Sequence, residues 1–137
     1  MRQIVFLDTS AIYAYINRKD PDHPAVAKAF SACKGKFLIS NYIFDEIVTL
    51  VSARLGHAAA SQVGTILMNS PQIQRAWVTP QDEMHSWTLF QERSDKHYSF
   101  TDCSSFVLMR RLGLNKYLAL DDHFRQEGFG SVCASTA

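Results

Sequence analysis

At 137 residues the chain has room for one domain, spanning 1–137, with a buried core that needs no disulfide or metal staple. Its 47% hydrophobic and 20% charged residues are ordinary for a soluble globular protein, and without a membrane-length apolar run or a signal-like N-terminus it is expected in the cytoplasm, with no membrane partner. A net charge of +1 neither requires nor excludes a polyanionic partner, although the surface turns clearly basic if several acids are withdrawn into a cation site.

The chain opens on Ile4-Val5-Phe6-Leu7, four large apolar residues running straight into Asp8-Thr9-Ser10. Such a run predicts a strand buried on both faces, as in parallel sheets flanked by helices. Asp8 then stands at the strand's carboxyl end, where open α/β sheets border their ligand crevice. A plainer role is equally open to it, since Asp8, Thr9 or Ser10 would also cap the helix predicted from Ala11 to Asn17. After a polar turn over 18–22, His23-Pro24 opens a second helix through Lys34, closed by Gly35. Residues 37–40 form a second short apolar run and predict a second strand.

The stretch from Tyr42 carries apolar residues at 43, 47, 51 and 55, a helix ended by Gly56, with Glu46 in its first turns. Residues 57–69 read as a further helix. Leu55, Ala59, Val63, Ile66 and Leu67 give this helix pair more apolar surface than a small domain obviously needs, a candidate homodimer face, with packing on the domain's own core an equally open role. A weaker strand is expected over 73–78. Thr79-Pro80 with Asp82 and Glu83 then marks a strong helix start, the helix running to about Ser94 with Met84, Trp87, Leu89 and Phe90 facing inward.

Ser99 with Asp102 three residues on resembles a capping box opening the next helix, which ends near Gly113. A strand over 114–120 delivers Asp121-Asp122, and 131–133 are expected as a short closing strand. His85 and His97 have no partner at zinc-motif spacing. Cys33, Cys103 and Cys133 are odd in number, widely spaced and without a C-x-x-C pair, so they read as core or boundary thiols rather than a disulfide framework or zinc site.

Asp8, Glu46, Asp102 and Asp121 each sit where a strand ends or a helix begins, at comparable stages of successive strand-helix units. In a parallel α/β sheet those stages share one edge. Carboxylates crowded there repel one another unless cations neutralise them, and hard oxygen donors select Mg2+ or Mn2+. The matching chemistry is phosphodiester hydrolysis. Asp45 beside Glu46 and Asp122 beside Asp121 compete for the same roles: neighbours on a helix point about 100° apart, so Asp45 and Glu46 cannot both aim at one pocket, and Asp122 is also a candidate cap for a short helix carrying His123 and Phe124.

In order along the chain, Ile-Val-Phe-Leu-Asp8-Thr-Ser, Glu46-Ile-Val-Thr-Leu, Ser-Phe-Thr-Asp102-Cys-Ser-Ser-Phe and Leu-Ala-Leu-Asp121-Asp-His-Phe resemble the motifs of PIN-domain ribonucleases, particularly VapC-type toxins. The resemblance implies a three-layer α/β/α sandwich with a mostly parallel central sheet. It also implies a metal-dependent RNA endonuclease, usually homodimeric, held inactive by a cognate antitoxin whose C-terminal segment enters the active-site groove. Asp8, Glu46, Asp102 and Asp121 match the family's metal-binding acids, Thr9 its frequent hydroxyl after the first acid, and the pattern Asp-x-His-Phe selects Asp121, with Asp122 in support. Two other readings compete. Asp8-Thr9-Ser10 opens like the nucleophile motif of haloacid-dehalogenase phosphatases, which calls for a second Asp where Ser10 stands. A catalytically silent adaptor would keep the fold and the acidic pocket for binding alone.

Overall fold

The computed structural model describes residues 3–130, so the strand expected over 131–133 lies outside the described residues. In chain order the elements are β1 (Ile4–Leu7), α1 (Thr9–Ile16), α2 (His23–Ala32), β2 (Lys36–Ser40), α3 (Asn41–Leu55), α4 (His57–Asn69), β3 (Ile73–Ala76), α5 (Pro80–Glu92), α6 (Phe100–Leu112), β4 (Lys116–Leu118) and α7 (His123–Gln126). The strands form one sheet in the order β3-β2-β1-β4, every pair parallel. Val5 lies between Phe37 and Lys116, and Phe6 between Leu38 and Tyr117. β1 is therefore a central strand, and its Val5, Phe6 and Leu7 are sealed from solvent, as an uninterrupted apolar run requires.

The order of the strands explains the layers. From β1 to β2 to β3 the chain steps one way across the sheet, then jumps back past β1 to β4. Right-handed crossovers place α1–α4 over one face and α5 and α6 over the other. The packing agrees, with α3 against α1 and α4, and α5 against α6. The reversal leaves a switch point between β1 and β4, where doubly wound sheets open a crevice at the strands' carboxyl ends.

Helix boundaries follow local chemistry. Gly56 (φ +99°), in a region few other residues adopt, ends α3 and begins α4. Thr79 and Ser99 both form complete capping boxes, with Asp82 and Asp102 as the returning acids. Thr79→Ala is expected to cost about 1 kcal/mol, read as a lower midpoint in urea, because it orphans the Asp82 amide.

Two expectations are corrected. Met84, Trp87 and Phe90 do not face inward: they are 70%, 53% and 38% exposed. The buried face of α5 is instead Asp82, Ser86 and Leu89. Arg111 satisfies Asp82 from α6 through bonds of 2.8–3.1 Å, and Ser86 donates to the Asp82 carbonyl at 2.7 Å, so a largely polar stripe packs without orphaned groups. Hydrophobic spacing alone points to the wrong face when polar residues are paired inside. The second correction concerns the cysteines, because Cys103 is a buried free thiol but Cys33 is disulfide-bonded.

Candidate active site

Asp8 leaves β1 at the switch point, its amide donating to the Leu118 carbonyl of β4 at 3.0 Å. It is both things the sequence allowed. Its backbone is extended and it caps α1, with Oδ2 accepting from the Ser10 amide at 3.3 Å and the Ser10 hydroxyl at 2.7 Å. It also lies at the carboxyl end of β1, close enough to Asp102 and Asp121 to feel their charges. Ser10 ties the end of β1 to the edge strand β4 there, because its Oγ accepts the Leu120 amide at 3.1 Å beyond the end of β4. Burial pushes the Asp8 carboxyl up; the Ser10 hydrogen bonds oppose this, but the nearby charges of Asp102 and Asp121 add to it, and the result is about 7.

The other acids arrive on separate elements. Glu46 comes from the second turn of α3, and Thr9 donates its hydroxyl to Glu46 Oε1, joining the first and second motifs. Asp45 is exposed beside it. Asp102 is the third residue of α6, its Oδ2 accepting from the Ser99 amide at 3.0 Å and lying 2.9 Å from His123 Nδ1. Asp121, exposed in the loop after β4, accepts the His123 amide on Oδ1 at 3.0 Å, and its Oδ2 is 3.6 Å from His123 Nδ1. Asp122 takes the cap position of α7 but makes no capping bond; its carboxylate turns outward to Arg125 at 2.6 Å, which holds its pKa below the usual carboxylate range.

A pattern runs through the four acids. Each has one oxygen held by a donor of this chain: Asp8 Oδ2 by Ser10, Glu46 Oε1 by Thr9, Asp102 Oδ2 by Ser99 and His123, Asp121 Oδ1 by the His123 amide. The second oxygen of each accepts no hydrogen bond from the described residues. No buried side-chain oxygen or nitrogen among them lacks a partner, so these second oxygens open to solvent rather than being sealed in. Among the described residues no three His, Cys, Asp or Glu side chains close into a ready-made metal cage. Mg2+ does not need one, since it keeps several waters and takes one or two carboxylates together with substrate phosphate. All-oxygen donors whose mutual repulsion a cation would relieve fit that ion.

Beside Glu46, a groove of about 570 Å³ runs between α3 and the start of α6, lined by Tyr42, Asp45, Leu50, Phe100 and Thr101. A larger hollow of about 1010 Å³ lies against Asp82, His85, Arg110 and Arg111. Its acid, Asp82, is committed to Arg111, and it offers no free carboxylate. Sequence reasoning singled out the four acids with Thr9 and Asp122 in support, whereas Asp122 is turned to Arg125 and further contacts to the acids come from Ser10 and His123. Their signals were position, each two residues after an acid, and for His123 the Asp-x-His-Phe pattern.

A family model accounts for this parallel α/β fold with carboxylates near its switch point. Residues 5–129 match the PIN domain, and the chain belongs to the PIN-domain family. It is similar to the 23S rRNA-specific endonuclease VapC20 of Mycobacterium tuberculosis, 30% identical over 129 residues that cover 94% of this chain and 98% of the relative. Ribonuclease VapC26 of the same species is 35% identical over 52 residues, 38% of each chain. The crystal structure of M. tuberculosis VapC20, a sarcin-ricin loop cleaving toxin, superposes with a TM-score of 0.87 at 28% identity, covering 92% of this chain and 96% of that one. A toxin-antitoxin complex from Klebsiella pneumoniae shares the fold at a TM-score of 0.67 and 12% identity, covering 93% and 95% of the two chains.

Proposed function

We propose that the chain is a single PIN-like nuclease domain, a Mg2+- or Mn2+-dependent endoribonuclease and the toxin of a toxin-antitoxin pair. The observation that carries this reading is the set of four acids, Asp8, Glu46, Asp102 and Asp121, each with one oxygen anchored and one open, at the switch point of a PIN fold. Similarity to VapC20 over nearly the whole chain supports RNA as the substrate. A bound divalent cation would supply an activated water and charge for the leaving oxygen. The chain's own part is to hold the carboxylates: Ser10 fixes Asp8, Thr9 fixes Glu46, and the α6 capping box fixes Asp102.

The phosphatase reading fails on Ser10. An acid would be needed at that position to protonate a leaving group, whereas Ser10 spends its hydroxyl on Asp8 and the Leu120 amide. The test is cleavage of 23S rRNA, and of a short sarcin-ricin loop RNA, with Mn2+ added or chelated, beside a phosphatase assay. Metal-dependent RNA cleavage without phosphate-ester hydrolysis is expected; intact RNA at every Mn2+ concentration would count against the reading.

An antitoxin, a second copy of this chain and a cytoplasmic location complete the proposal. No helix among the described residues is long and apolar enough to cross a membrane. On the helix pair Val63 and Leu67 are buried in the chain's own core, while Leu55 and Ile66 remain exposed. The face of α5, with Met84, Trp87 and Phe90, is a second uncovered apolar surface. Light scattering at micromolar concentration is expected to give a dimer, and Trp87→Lys to weaken it more than Ile66→Lys; a monomer would remove the second copy from the proposal.

A further inference from the structure

His123 is not one of the four acids, yet it touches two of them. Its backbone amide donates to Asp121 Oδ1 at 3.0 Å, while its ring Nδ1 lies 2.9 Å from Asp102 Oδ2 and 3.6 Å from Asp121 Oδ2. An ionised carboxylate only accepts hydrogen bonds, so Nδ1 carries the proton in this contact. One side chain thereby links an acid on the first turn of α6 to an acid in the loop after β4, two elements with no sequence continuity.

The ring is restrained through its backbone and on one face. Next in sequence, Phe124 is completely buried, packed against Phe6, Phe106 and Tyr117 with ring centroids 5.0–6.0 Å apart, which fixes the backbone of α7. The imidazole meets the Tyr98 ring edge to face at 5.3 Å. Tyr98 is itself pinned, donating its hydroxyl to Glu127 Oε2 at 2.9 Å, and Glu127 is clamped by Arg93. A histidine that merely filled a surface gap would not need a wall of this kind.

We propose that His123 is a positioning residue of the carboxylate site, its Nδ1–H holding Asp102 and its backbone amide holding Asp121, so that the remaining oxygens of both face the same cation. This rests on the reading of the four acids as a cation site. Without the imidazole donor, Asp102 keeps only the Ser99 amide and gains rotational freedom that cation binding must then remove, while Asp121 loses the ring that stands 3.6 Å from its Oδ2. Partners that orient ligands in this way are worth roughly 10–100-fold in metal affinity.

The test is Mn2+ affinity by titration calorimetry, a readout that needs no RNA, on the full chain and four variants whose folding is checked by circular dichroism. His123→Phe keeps a ring against Tyr98 but has no donor, and His123→Leu lacks both. Both are expected to bind Mn2+ roughly 10–100-fold more weakly. His123→Asn, whose amide nitrogen can stand where Nδ1 stands, is expected to restore most of the loss. Affinity unchanged in Phe and Leu variants, or Asn as weak as Phe, overturns the positioning role. Asp8→Asn separates the two readings: if it alone loses Mn2+, only the role of His123 falls, and if no variant loses Mn2+, or the natural chain binds none, the cation site falls with it.

Discussion

Asp8→Asn is expected to reduce RNA cleavage by about 10³-fold or more, because in the proposed mechanism it removes a direct cation ligand and with it several kcal/mol of transition-state charge stabilisation. The same substitution is expected to leave the metal-free protein as stable as before, or more so. Asparagine caps a helix as well as aspartate does, and its Oδ1 can accept the Ser10 bonds, so α1 loses nothing. What disappears is a charge that the fold holds at a cost. The folded-state pKa of Asp8 lies near 7, above the ordinary 3.8, so the folded protein binds the extra proton and loses stability as pH rises between those values. Each unit is worth about 1.4 kcal/mol, which puts the gain from Asp8→Asn on the order of 1–4 kcal/mol at pH 8 and near zero below pH 4. Thermal melts at both pH values, with and without Mn2+, check this. Mn2+ should raise the melting temperature of the natural chain and leave that of Asp8→Asn unmoved. A variant that melts lower than the natural chain at pH 8 without metal would mean that the Asp8 carboxylate stabilises the fold instead of burdening it.

The fold was legible where periodicity and punctuation agree. The apolar run before Asp8, the 43-47-51 stripe and the capping signals at Thr79 and Ser99 placed β1, α3, α5 and α6 with only small shifts at their ends. α4 falls at its expected bounds, His57–Asn69. The sheet, expected to be mostly parallel, is parallel at every pairing. α5 was misread because its inward face is chosen by a long-range partner, Arg111, which lies 29 residues from Asp82 and leaves no periodic trace.

Within the site, the acids were legible because each stands at a strand end or helix start, positions that the sheet's topology gathers at one edge. Which oxygen of each is held, and by what, was not. Glu46 is joined to Thr9 across 37 residues and Ser10 to Leu120 across 110, contacts that only the closed sheet creates. Asp102 shows why single-residue readings stall. It closes its capping box with one oxygen and leaves the other without a hydrogen bond from the described residues, so its structural role does not exclude the proposed functional one.

Arg93→Met carries the largest stability loss expected away from the acids, about 3 kcal/mol at neutral pH. Glu127 is the buried partner, its side chain 4% exposed, whereas Arg93 and Arg110 are 35% and 46% exposed. Burial pushes the Glu127 carboxyl up, but hydrogen bonds from Arg93, Tyr98 and Arg110 outweigh it and hold the group below its ordinary 4.5. A carboxylate with a depressed pKa contributes stability above its unfolded value and loses it as pH falls through its folded one. Removing Arg93 takes away the two-pronged contact, at 2.8–3.2 Å, and leaves the buried charge with only the longer Arg110 contact at 3.3 Å and the Tyr98 hydroxyl. Methionine keeps the apolar stem, so the loss is electrostatic. Glu127→Gln, by contrast, leaves two arginines that can rehydrate, and should cost only about 1 kcal/mol. Urea unfolding at pH 7 and pH 4 distinguishes these cases: the gap between Arg93→Met and the natural chain should shrink at pH 4, where the stranded carboxyl takes up a proton. Because Glu127 also anchors the Tyr98 hydroxyl behind His123, Arg93→Met should weaken Mn2+ binding as well, by less than His123→Phe does. Equal losses in Arg93→Met and Glu127→Gln, unchanged between the two pH values, would show that the cluster stabilises by packing and that its charges matter little.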